Sequence, residues 1–188
     1  GERSVYDNSV EAIPQVMLMA AWEKRLPIHG PEIERLPGET DKEYRLRTQA
    51  DWGLCEWVAD SCNKYKVDIL LIEAKASGIS VAQELQRLNK YANWSTRLVN
   101  PGNQDKVARA YAVQSSFSNG VVWAPDRSWA DNVITQCESF PKGAHDDLVD
   151  TATQALRYLR ENGLLQRSTE VAASITGELM RKIPKGAL

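Results

Sequence analysis

Two acidic features have spacings that suit chemistry. Glu73 follows directly on the apolar run Val67-Asp68-Ile69-Leu70-Leu71-Ile72, and Asp146, Asp147 and Asp150 crowd into Ala144-His145-Asp146-Asp147-Leu148-Val149-Asp150. A carboxylate at the C-terminal end of a hydrophobic strand sits where open α/β sheets place their sites, although a solvated acid ends many ordinary strands. At about 100° per residue, Asp146, Asp147 and Asp150 share one arc of roughly 100° on the side of a helix away from the stripe Leu148, Val149, Ala152, Leu156 and Leu159. Acids in a first helical turn complement the macrodipole, and Asp146 alone would serve as a cap. Three acids are more than capping needs. Carboxylates this close repel one another unless a cation neutralises them, and their hard oxygens suit Mg2+ or Mn2+. The chemistry that uses such a set is phosphodiester hydrolysis with two metal ions about 4 Å apart, for which acids must converge from separate elements. Glu73, Asp147, Asp146 and Asp150 are the catalytic candidates, with Glu73, Asp147 and Asp150 as metal ligands. His145 beside them positions a water or phosphate, or else is a surface or capping residue.

The elements that must carry these residues follow from hydrophobic periodicity. Gln15 to Trp22 is a short apolar run read as a buried strand. A loop with Pro27, Gly30, Pro31 and Pro37 leads to Thr40-Asp41-Lys42-Glu43, a capping box that opens a helix predicted to continue to about Tyr65 through Leu54, Trp57, Val58 and Cys62. Val67 to Ile72 has the composition of a central strand covered on both faces. Ser77 and Gly78 then give the tight turn into a helix marked by Val81, Leu85 and Leu88. Further strands are predicted at Thr96 to Val99 and Val121 to Trp123, and helices at Asp105 to Phe117, Trp129 to Cys137 and His145 to Arg160. Alternating strands and helices define an α/β domain with a mixed sheet over residues 1–162. The tail, residues 163–188, carries a slightly basic segment with a weak amphipathic helix around Val171 to Met180 and is a possible docking arm.

Composition narrows the partners. Against 25 acidic residues stand 23 Lys and Arg, a formal charge of -2, so nucleic acid would be met by a local patch instead of a basic surface. No run approaches the ~18 apolar residues of a membrane span, and the first residues lack the layout of a signal peptide. Cys55, Cys62 and Cys137 form no C-x-x-C pair and only two histidines accompany them, which argues against both a disulfide framework and a zinc site. Cys55 and Cys62, two turns apart on one helical face, read as small buried hydrophobes.

Four segments in order and spacing, Leu71-Ile72-Glu73-Ala74-Lys75-Ala76-Ser77-Gly78, Asp105-Lys106-Val107-Ala108-Arg109-Ala110, Gly120-Val121-Val122-Trp123 and His145-Asp146-Asp147-Leu148-Val149-Asp150-Thr151, resemble the nuclease domain of the large terminase subunit of tailed bacteriophages. The resemblance spans roughly Gln15 to Arg160. It implies a ribonuclease-H-like fold with a mixed central sheet flanked by helices. It also implies a Mg2+- or Mn2+-dependent endonuclease, with two ions, that cuts concatemeric double-stranded DNA in the bacterial host cytoplasm, at the procapsid, during packaging. By motif, Glu73 matches the acidic ligand at the end of the central strand and Asp147 the late metal-binding aspartate, with Asp146 and Asp150 ranked below. Lys106, Arg109 and Lys75 match positions suited to phosphate contact, the alternative being a solvated helix flank. Portal and small terminase subunit are the implied protein partners.

Two features depart from that family. Its further aspartate, on an earlier strand within an Asp-Thr-Ala-like motif, has no match here, since Asp7 in Tyr6-Asp7-Asn8-Ser9 is followed by other residues and reads as a hairpin loop. No G-x-x-x-x-G-K-[ST] occurs, so the ATPase motor is expected elsewhere in the full-length protein. Nothing resembles a base-reading element, which implies low sequence specificity. The competing readings are a catalytically silent module that docks on portal or motor, and a junction-resolvase-like ribonuclease-H relative.

Overall fold

The structure, a computed structural model, describes residues 14–103 and 105–165. The expectations for Asp7 and for the tail from Ser168 to Leu188 lie outside the described residues. In chain order the elements are β1 (Val16–Met17), α1 (Asp41–Thr48), α2 (Leu54–Lys64), β2 (Ile69–Glu73), α3 (Ala76–Leu88), β3 (Ser95–Val99), α4 (Lys106–Ser118), β4 (Val122–Trp123), α5 (Ser128–Ser139) and α6 (Asp147–Glu161). They fall into two compact units, residues 22–103 and residues 14–21 with 105–165.

In the unit of residues 22–103, the capping box at Thr40 forms as predicted. Glu43 N donates to Thr40 Oγ1 at 3.3 Å, and Thr40 N donates to Glu43 Oε2 at 2.9 Å. The helix it opens does not run to Tyr65. It ends in a 3-10 turn over Gln49–Asp51 and restarts as α2 after Gly53. The break is made by the proline-glycine loop, which packs its backbone on Gly53 so closely that a Cβ there would lie 2.3 Å from the His29 carbonyl carbon. That loop caps the new helix. Leu54 N donates to the Pro27 carbonyl at 2.8 Å and Cys55 N to the Ile28 carbonyl at 3.0 Å, so two of the orphan donors of α2 are satisfied by backbone.

The core of this unit gathers Cys55 and Cys62 of α2, Val81 and Leu85 of α3, and Trp94, with Leu70 and Ile72 of β2 packed against it. The two thiols are buried as small hydrophobes, and desolvation pushes each up to about 11. Strand β2 pairs in parallel with β3, from Ile69 opposite Ser95 to Glu73 opposite Val99. The expected enclosure on both faces is not reached. Every residue of β2 is only half-buried, because among the described residues it has one strand neighbour.

In the other unit β1 pairs in parallel with β4, Val16 opposite Val122 and Met17 opposite Trp123. The run predicted as a buried strand forms only these two strand residues, and Met17 and Met19 stay 52% and 63% exposed because one short edge pairing gives their side chains no cover. Helix α6 packs on α4 and on α5. It buries Leu148, Val149 and Leu156 of the predicted stripe, and Thr153 with them. The Arg160 guanidinium donates to the Ala112 carbonyl on α4. The described strands thus make two parallel pairs and not one mixed sheet; the β2–β3 crossover through α3 is of the kind that produces parallel pairing. Helices joined to small parallel sheets make the chain α/β.

Candidate active site

Glu73 closes β2. Its backbone remains in the ladder, with Ala74 N donating to the Val99 carbonyl at 2.8 Å, and its half-buried carboxylate meets Lys75 Nζ at 3.0 Å. The Lys75 side chain is otherwise largely solvated, 63% exposed. The turn expected from Ser77 and Gly78 is already made by Ala74 and Lys75, for Lys75 N donates to the Glu73 carbonyl at 2.8 Å and α3 begins at Ala76. Ser77 is an exposed residue of the first helical turn. Gly78 lies inside α3, and what it provides is close approach of the helix to the strand end.

The acids of the other unit divide into two kinds. Asp146 occupies the N-cap position of α6 without capping it, and its carboxylate instead takes Lys106 Nζ at 3.0 and 3.1 Å. Asp150, one turn on, meets the same ammonium at 2.7 Å and Arg109 Nη2 at 3.6 Å. These contacts raise the Lys106 ammonium above the usual lysine range, through its hydrogen bonds to Asp150 first and Asp146 second, and keep it charged. Asp147 is exposed at the first position of α6, and its carboxylate has no hydrogen bond or ion pair among the described residues. The adjacent His145 is exposed as well.

Two residues stand behind this arrangement, and only the second, an Asp at the start of a predicted helix, is signalled by local sequence. Gln136 of α5 does the capping that Asp146 does not, its Oε1 accepting from Leu148 N at 3.0 Å. Asp105 caps α4, accepting from Ala108 N at 2.7 Å, and so starts the helix at Lys106. Pairing across 40 residues, as between Lys106 and Asp146, is a tertiary fact that periodicity does not encode.

The structure therefore places Glu73 and Lys75 in one unit, and Asp146, Asp147, Asp150, Lys106 and Arg109 in the other. Neither unit, among the described residues, gathers three His, Cys, Asp or Glu side chains into a metal-holding group. The donors are nonetheless of the type a hard divalent cation takes; Glu73 carries the Lys75 ammonium as its counter-charge, and Asp147 has none among the described residues.

An α/β chain with a carboxylate closing a parallel strand and an acidic head on a late helix carries oxygen donors of the kind that metal-assisted phosphodiester chemistry uses. Residues 42–159 match the terminase RNaseH-like domain family, and the chain belongs to that family. No curated protein and no solved structure matches it.

Proposed function

We propose that the chain is the metal-dependent endonuclease domain of a viral DNA-packaging terminase, cutting concatemeric double-stranded DNA with little sequence preference. The observation that carries this reading is that one family match spans both Glu73 and the Asp146 to Asp150 run. In this reading Glu73 of one unit and Asp147 of the other are ligands to Mg2+ or Mn2+, two ions being expected, and Asp150 and Asp146 are the further acids at the head of α6. A divalent ion held by such oxygens activates water and stabilises the leaving oxygen of a phosphodiester. Lys75, exposed beside Glu73, is available to a DNA phosphate, and Lys106 and Arg109 add positive charge beside α6. Binding is then carried by phosphate contacts and weakens with salt.

The partners in this reading are DNA, the portal, the small terminase subunit and the ATPase motor, and the place of action is the bacterial cytoplasm at the procapsid. Among the described residues no helix is long and apolar enough to cross a membrane.

The test is cleavage of linear and supercoiled DNA with Mn2+, Mg2+ or EDTA, run beside Glu73→Gln and Asp147→Asn. Cutting that needs metal and is lost in both variants is the expected result. Cutting in EDTA, or cutting indifferent to both substitutions, overturns the reading.

A further inference from the structure

We propose that Lys106 is a built-in counter-cation that holds Asp146 and Asp150 off the metal, so that Asp147 is the one carboxylate at the head of α6 offered to a divalent ion. The proposal rests on the endonuclease reading and names how its site is set. One ammonium lies 3.0 Å from Asp146 Oδ1 and 2.7 Å from Asp150 Oδ2, between carboxylates one helical turn apart. Arg109 adds a second positive charge at 3.6 Å from the other oxygen of Asp150, Oδ1. Two negative charges thus face two positive ones. A divalent ion arriving between Asp146 and Asp150 would have to displace the ammonium and then sit beside it, a like-charge arrangement that Coulomb's law disfavours at these distances. Asp147 bears no such restraint.

The three groups are partly exposed, with 42% of the Lys106 side chain, 36% of Asp146 and 29% of Asp150 open to water, so the pairing is not locked in by burial and responds to a change in charge. Lys106 acts through the carboxylates it holds. It is a positioning residue.

The experiment is titration of the full 188-residue chain with Mn2+, read as loss of the free-ion electron paramagnetic resonance signal, with circular dichroism on every variant. Lys106→Met and Lys106→Gln free both carboxylates and are expected to bind Mn2+ about tenfold more tightly than the parent chain, or to take up an additional ion. That gain should vanish in the double variants with Asp150→Asn. Lys106→Arg keeps the charge and should match the parent chain. Asp147→Asn should lose the ion, and Asp150→Asn alone should weaken binding far less.

Loss of Mn2+ in Asp150→Asn as large as that in Asp147→Asn overturns the proposal. So does the absence of any gain in folded Lys106→Met and Lys106→Gln. Failure of the endonuclease reading is distinct: the parent chain then binds no Mn2+ and cuts no DNA, while the Lys106 variants still report whether the ammonium blocks the pair of acids.

Discussion

A Cβ on residue 78 would stand 2.2 Å from the carbonyl oxygen of Glu73 and 3.1 Å from Cγ2 of Ile72. The obstacle is backbone, which cannot swing aside as a flexible side chain does. Gly78→Ala must therefore push α3 away from the end of β2 and move the carboxylate that the endonuclease reading depends on. Overpacking of this kind costs about 1–3 kcal/mol, so a lower urea midpoint is expected, and DNA cleavage should fall further than the stability loss explains. A variant with parental stability and activity would contradict this packing.

Gly53 is the corresponding contact at the start of α2. Its Cβ would meet the His29 carbonyl carbon at 2.3 Å and Gly30 N at 2.5 Å, and Glu56 ties the same loop down through Gly30 N at 3.2 Å and His29 Nδ1 at 3.3 Å. Gly53→Ala should destabilise the chain by about 1–3 kcal/mol and release the Pro27–Pro31 loop. Limited proteolysis reads this directly, and an unchanged cleavage rate in that loop would count against it.

Acid should loosen the segment before α1. Arg47 forks onto Glu39 at 2.7 and 2.8 Å, and this pairing, first among the causes, holds the Glu39 carboxyl down at about 2. A depressed carboxylate stabilises the fold above its unfolded value, and that stabilisation is lost as pH falls through the folded one. Protection of the α1 amides, their exchange rate divided by the intrinsic rate at each pH, should fall in the parent chain from pH 5 down to about 2. In Glu39→Gln the dependence should be flatter; equal slopes would mean that the fork is not formed in solution.

The thiols offer a check on the core. Cys55 and Cys62 are 1% and 3% exposed, and burial pushes both up to about 11. Cys137 is half-buried and its thiol is raised for the same reason. Native protein at pH 8 should react slowly with a disulfide reagent, and urea should release all three thiols. Rapid reaction of two thiols in the native state would show that α2 does not pack as described.

Much of the helical plan was legible because it rests on local signals. The capping box at Thr40, the stripe of α6 and the burial of Cys55 and Cys62 are each readable from spacing alone. Periodicity predicts a continuous helix from Thr40 to about Tyr65, but the interruption at Gly53 is made by a loop more than twenty residues upstream, and a glycine inside a helical pattern does not announce what packs on it. The apolar run at Val16 and Met17 likewise says that a strand is possible, not how many neighbours it obtains. For the candidate site, the sequence shows which acids are clustered. It does not show that Lys106 divides them into paired and unpaired, because that depends on how α4 lies along α6.

Helices α4 and α6 are fastened to each other at two separated places, by Lys106 to Asp146 and Asp150 near the start of both, and by Arg160 to the Ala112 carbonyl farther along. A pair of rods joined at one point can scissor, whereas a pair joined at two transmits load. Two fastenings therefore restrain pivoting between α4 and α6, and the head of α6 that carries Asp147 keeps its orientation to α4.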